Sequence, residues 1–172
     1  FSAALRTPAD DLGMALVFDV AHNLAKLETH LDAGAPSVLC VHRKGATRAF
    51  EPGHPDLPED IRGVGQPVLV PGSMGTASWV LRGVADNPAF ASAAHGAGRL
   101  MSRGAARRRT SGREVRIDLE RAGISIRPGS VRLLAEEAPY AYKDVDEVAR
   151  VCAAAGLADR VARLRPIGVV KG

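Results

Sequence analysis

Residues 66–81 read QPVLVPGSMGTASWVL, and this stretch decides the fold class. QPVLV is a short apolar strand, PGSMGT is a Gly/Ser/Thr turn, and the apolar run resumes as a second strand through Trp79 and Leu81. Upstream, SVLCVHRKG (residues 37–45) alternates, sending Val38, Cys40 and His42 to one side and Leu39, Val41 and Arg43 to the other, so it is a third strand ended by Gly45. Before it, Val20, Leu24, Leu27 and Leu31 recur at the four-three-four spacing of one helical face, and Gly34 and Pro36 stop that helix. EPGHPDLPEDIRGVG (51–65) is an ordered loop. Downstream, Arg99–Arg107 reads as a helix beginning near Gly98 and broken by RRRTSGR. ISIRPGSVRLL (124–134) reads as a hairpin or irregular strand pair. DVDEVARVCAAAG and LADRVARLR read as two helical segments around Gly156, with Val145, Val148 and Cys152 on one face of the first. With no internal repeat and no linker, the expectation is a single α+β domain of mixed sheets and helices over residues 1–172, its apolar C-terminal end docked.

Composition agrees with a globular chain. At 172 residues and 46% hydrophobic, there is enough apolar surface for one sizeable core. Phe1 is not an initiator methionine and structure begins within a few residues, as in a chain cut from something longer. Cys40 and Cys152 lie far apart without CxxC spacing, which argues against a disulfide framework or structural zinc and fits a reducing, cytoplasmic setting. The longest apolar runs are too short to span a bilayer, and no signal pattern opens the chain, so no membrane partner is expected. The net charge of +4 is unevenly spread. Arg99–Arg116 holds seven arginines and one acid, whereas Glu136–Glu147 holds five acids and one lysine. Clustered guanidinium groups suit a phosphate-rich partner; a solvated arginine-rich face is the plainer alternative.

The chemistry gathers at HGAGRLMSRGAARRR (95–109). A helix starting at Gly98 would turn the bare amides of HGAG toward a phosphate, with Arg99, Arg103 and Arg107 following as one ridge. A neutral imidazole there can attack phosphorus, its proton affinity lowered by the arginines; a hydrogen-bonded structural histidine is the alternative. On a helix, His22 lies away from the leucine stripe with Lys26 and His30, about 12 Å from His30, too far for the two to share one ion. His22 is then one metal ligand completed from elsewhere, or a solvent-facing ring. Cys40 and His42 read as a buried cysteine beside a surface histidine.

Six motifs carry a resemblance: DVAHNLAKLE, VHRKGATRAFEPGH, GQPVLVPGSMGTASWVL, HGAGRLMSR, AEEAPYAYKDVDEV and PIGVVKG. In this order, from Asp19 to Gly172, they resemble the RtcB family of RNA-splicing ligases. The resemblance implies an RtcB-like fold, present here as the C-terminal portion of a single catalytic domain. It also implies a manganese- and GTP-dependent ligase joining RNA ends with a 2′,3′-cyclic phosphate or 3′-phosphate to ends with a 5′-hydroxyl, as in tRNA splicing or repair of broken RNA. His95 takes the place of the guanylylated histidine and His22 that of a manganese ligand. Ser73, Tyr142 and Lys171 look like nucleotide contacts; Lys44, Arg99 and Arg103 resemble contacts to RNA phosphate. Archease is implied as a partner in some organisms. The family's other metal donors, an aspartate, a cysteine and further histidines, lie in a segment that precedes DVAHN and has no counterpart here, so the chain alone is expected to lack ligase activity. The rival readings are a non-catalytic RNA-binding module and an inactive fragment.

Overall fold

The computed structural model describes residues 2–32 and 34–171. Phe1, and Gly172 at the end of the PIGVVKG motif, lie outside the described residues. The elements mix helices, the first of them the short α1 (Ser2–Leu5), with several small sheets, an α+β architecture.

The stretch from Gln66 to Leu81 forms the central hairpin. β4 (Pro67–Pro71) pairs antiparallel with β5 (Ser78–Gly83), Val70 facing Trp79 across the pair. Helix α5 (Val145–Ala154) lays Val145, Ala149 and Cys152 over Val68, Val70 and Leu81, all buried. Those three positions follow a three-and-four spacing, one stripe of an amphipathic helix. Each large apolar side chain so buried contributes about 1.5–3 kcal/mol. Asp144 caps α5 by accepting from the Asp146 amide, and the Asp146 carboxylate accepts the Trp79 indole N–H at 2.7 Å, pinning the helix to the sheet.

The third strand of this sheet corrects one expectation. LADRVARLR is not a helix: Ala158–Leu164 is an edge strand, β8, antiparallel to β5. The four-three spacing of Leu157, Val161 and Leu164 imitates a helical face, but Val161 and Leu164 are exposed. A register shift between Val80 and Leu81 lets the strand twist along the sheet edge.

A second correction concerns the N-terminal segment. Asn23–Asp32 is a strand, β1, paired residue for residue with β2 (Ala35–Lys44). Leu27 and Leu31 share one face of this hairpin and are exposed, while Leu24 lies on the other face. The ten-residue antiparallel ladder overrides the helical spacing of the leucines. Along β2 the alternation holds: Leu39, Val41 and Arg43 turn inward. Cys40, expected to be buried, is exposed with His42. Arg43 is buried and holds the hairpin to the body. Its guanidinium donates twice to Glu28, at 2.8 and 2.7 Å, and also to the Phe90 carbonyl and Ser92 Oγ. Burial opposes the charge on Glu28, but the hydrogen bonds from Arg43 and His30, and after them the charge of Arg43, prevail and hold it below the usual carboxylate range.

Between the hairpin and the sheet, β3 (Ala46–Arg48) pairs antiparallel with β6 (Ser92–Ala94). A short helix α2 (Glu59–Arg62) interrupts the loop of residues 51–65. The arginine-rich stretch forms α3 (Arg103–Arg109), capped by Ser102, rather than a helix from Gly98. Gly98 has φ +75°, a left-handed turn that a helix start excludes. Next comes α4 (Gly112–Arg121), which the sequence reading passed over although Ser111 and Glu114 form a reciprocal capping box. ISIRPGSVRLL is not a hairpin: β7 (Ser125–Pro128) leads into a 3₁₀ segment, Val131–Glu137. The partner of β7 is the C-terminal strand β9 (Gly168–Lys171), in parallel. Val115, Leu119, Ile124, Ile126 and Leu134 close a second core beneath it.

Candidate nucleotide and RNA site

Strand register brings the first group of side chains together. Asn23 faces Lys44 at the open end of the hairpin, and Ala46 faces Ala94, so Gly45 stands beside His95, the residue after β6. Gly45 has φ +79°, and a Cβ there would lie 3.9 Å from the His95 ring. This tight turn brings Lys44 round to the imidazole. An open cleft results, lined by His22, Asn23, Lys44, Gly45 and His95. The His22 and His95 rings stack, 4.9 Å between centroids and 7° from parallel. Burial first, and the charge of His22 second, lower the pKa of His95 below its ordinary value of 6.5. The neutral, nucleophilic form is favoured. The arginines expected to cause this do not figure in it.

The second group meets across the Pro71–Gly98 region. Ser73, Tyr142 and Lys171 line one pocket with Pro71, Gly72 and Glu137. Ser73 is placed by the β4–β5 turn, in which its amide donates to Thr76 Oγ1 at 2.8 Å and the two hydroxyls lie 2.9 Å apart. Pairing of Lys171 with Pro128 at the end of β9 swings its ammonium into the pocket. The Ala97 amide donates to the Pro71 carbonyl at 2.9 Å, and the Lys143 backbone amide donates to the Gly98 carbonyl. The segment after His95 is thus tied by hydrogen bonds to Pro71, which lines the pocket, and to Lys143, the residue after Tyr142.

Glu137, for which sequence reasoning gave no role, is the hub. Its carboxylate accepts from the Tyr142 hydroxyl and lies 3.6 Å from Lys171 Nζ, 3.5 Å from Arg99 Nη1 and 3.4 Å from Arg103 Nε. Burial opposes its ionisation, but these partners prevail and hold its pKa low. Burial, then the hydrogen bond to Glu137 and its charge, push the Tyr142 hydroxyl pKa up. Arg99 donates to the Tyr142 oxygen at 2.9 Å and lies over its ring. The expected arginine ridge is therefore divided. Arg99 lies outside the helix and is tied to Tyr142, while Arg103 and Arg107 on α3 reach Glu136. Four cations face two carboxylates, which leaves the cluster cationic. The paired acids in AEEAPYAYKD, set opposite an arginine run, were the sequence signal for this network.

A metal centre is not assembled by these residues. Among the described residues, no three histidine, cysteine, aspartate or glutamate side chains converge. His22 and His95 alone do not meet the three or more protein donors of a catalytic ion. A separate cavity is lined by His30, Phe50, Glu51, His54, Asp86 and Phe90, and contains none of the residues given a nucleotide, RNA or metal role from the motifs. Among the described residues, no helix is long and apolar enough to cross a membrane.

Comparison with known proteins agrees with the motif order. The family model described as tRNA-splicing ligase RtcB matches residues 1–172. The RNA-splicing ligase RtcB of Mycobacterium tuberculosis is 56% identical over 172 residues, covering 100% of this chain and 39% of its own length. The tRNA-splicing ligases RtcB of Archaeoglobus fulgidus and Thermococcus kodakarensis are 56% and 54% identical over 174 residues, covering 100% of this chain and 36% of theirs. The chain thus spans well under half the length of these relatives. On the whole-chain match and the order of its motifs, it belongs to the RtcB family.

Proposed function

We propose that the full-length protein containing these residues is a GTP- and manganese-dependent RNA ligase that works through guanylylation of His95. The observation that carries this reading is the meeting of Ser73, Tyr142 and Lys171 in one pocket whose Pro71 accepts a hydrogen bond from the Ala97 amide, two residues after His95. A nucleotide seated there has its base side at the pocket and its phosphates toward the histidine cleft.

In the first step a His95 ring nitrogen attacks the α-phosphorus of GTP. A phosphorus–nitrogen bond forms, the bond to the β-phosphate oxygen breaks, and pyrophosphate leaves. The lowered pKa of His95 keeps the lone pair free, while Lys44 in the cleft offsets charge on the phosphoryl oxygens. A 2′,3′-cyclic RNA end is opened by water to a 3′-phosphate. An oxygen of that 3′-phosphate then attacks the bound GMP phosphorus, breaking the bond to nitrogen and restoring the imidazole. Finally the 5′-hydroxyl of the second RNA attacks the 3′-phosphorus and expels GMP. Arg103 and Arg107, both exposed, hold RNA phosphates during these exchanges. His22 is one manganese donor in this proposal, and the remaining donors come from outside these 172 residues. RNA ends, such as tRNA halves or broken RNA, are the substrates, with archease as a partner where it is present.

The test is ligation of a 3′-phosphorylated RNA to a 5′-hydroxyl RNA by the full-length protein with GTP and manganese. Joined product is expected, and His95→Ala abolishes it. Steeply salt-dependent RNA binding with no joining would instead support a non-catalytic RNA-binding module.

A further inference from the structure

We infer that Glu137 is a positioning residue shared by the nucleotide pocket and the arginine face, so that nucleotide and RNA 3′-phosphate weaken each other's binding through it. This inference rests on the function proposed above. One oxygen of the carboxylate, Oε1, faces Arg99 and Arg103 at 3.5 and 3.4 Å; the other, Oε2, faces Tyr142 and Lys171, the latter at 3.6 Å. The side chain of Glu137 is only 12% exposed, whereas those of Arg103 and Lys171 are 68% and 44% exposed. A largely covered anion therefore holds Arg103 and Lys171, whose other sides reach solvent and ligand.

The contacts to arginine and lysine exceed the 2.7–2.9 Å of tight charged pairs, so a ligand oxygen can draw either partner away. When a nucleotide engages Lys171, Glu137 loses a counter-charge and binds Arg99 and Arg103 more strongly, which makes them less available to an RNA phosphate. A phosphate on Arg103 has the converse effect on Lys171 and Tyr142. Linkage makes the two effects equal. Glu136 does not substitute, because among the described residues its ion pairs run to Arg103 and Arg107 and not to the pocket side.

The experiment measures GMP affinity of the full-length protein by calorimetry at fixed salt, with and without saturating 3′-phosphorylated RNA. In the unaltered protein the RNA is expected to weaken GMP about 5-fold, the low end of typical coupling. Glu137→Gln brings the factor to about one, and Glu137→Asp retains part of it. A merely structural role would lower the melting temperature and leave the factor unchanged. Should Glu137→Gln not fold, Lys171→Met, at the exposed end of β9, serves instead: GMP binds more weakly and the factor again falls to one. An unaltered factor in these variants, or a factor of one in the unaltered protein, overturns the inference alone. Failure of the unaltered protein to bind GMP overturns the ligase proposal along with it.

Discussion

Around His95, two stacked imidazoles, one lysine and a glycine turn border an open cleft. Around Tyr142, a few residues away through Arg99, a carboxylate, two arginines, a lysine and a phenol are bound in one network before any ligand arrives. The pocket's charges are set against one another by this chain's own side chains, so a ligand there exchanges existing ion pairs rather than ordering loose groups. On the proposed reading the cleft supplies a nucleophile and one metal donor, and among the described residues no set of three donors converges there. Binding geometry and reactive chemistry are thus built to different degrees of completion, and substitutions in the two regions should behave differently.

The largest effect is expected behind the cleft. Arg43→Ala leaves Glu28 buried without its partner and frees the hairpin carrying His22 and Lys44, at a cost of about 3–5 kcal/mol in urea unfolding. A cost below about 1 kcal/mol would show that the hairpin is held by its ladder alone. Next comes Tyr142→Phe, which strips the hydroxyl from between Glu137 and Arg99 and costs about 1.5–3 kcal/mol, the range for hydrogen bonds to charged groups. By contrast, His22→Ala removes an exposed ring and should cost less than about 0.5 kcal/mol. Equal losses from these two substitutions would erase the distinction between a wired pocket and an open cleft.

The pocket also has a signature in pH. The Glu137 pKa is depressed in the folded state, so its stabilising contribution is fully present above the ordinary glutamate value of 4.5 and is lost as pH falls through the folded value. The stability gap between the unaltered protein and Glu137→Gln should therefore narrow below that range. A gap independent of pH would mean that the carboxylate is not the source. The smallest effect belongs to Arg107→Ala. Half exposed and paired at 3.4 Å, it should change stability by less than about 0.5 kcal/mol. Meanwhile, the slope of RNA affinity against salt should drop by about one contact.

The legible parts of the sequence were those where local pattern and tertiary burial coincide. β4, β5 and α5 could be read because Val68 and Val70, and Val145 and Cys152, are apolar where they are buried. β1 and β8 were misread because their apolar residues, Leu27, Leu31 and Val161, are exposed. Their strand state comes from hydrogen-bonded neighbours distant in sequence, which no local spacing records. The meeting of Ser73, Tyr142 and Lys171 depends on three separate register choices. Motif order singled out these residues, but their neighbourhood became visible only once β9 was seen to pair with β7. Glu137 escaped because an acid next to an acid reads as a solvated surface until the arginines opposite are placed.

The central claim is that the imidazole beside Gly45 forms a bond to phosphorus. It is tested most directly by incubating the full-length protein with α-phosphate-labelled GTP and manganese, then mapping the label by peptide mass spectrometry. An acid-labile guanylyl adduct on His95, absent from His95→Ala, is the predicted result. Label that persists in that variant, or that maps to another residue, would contradict the account.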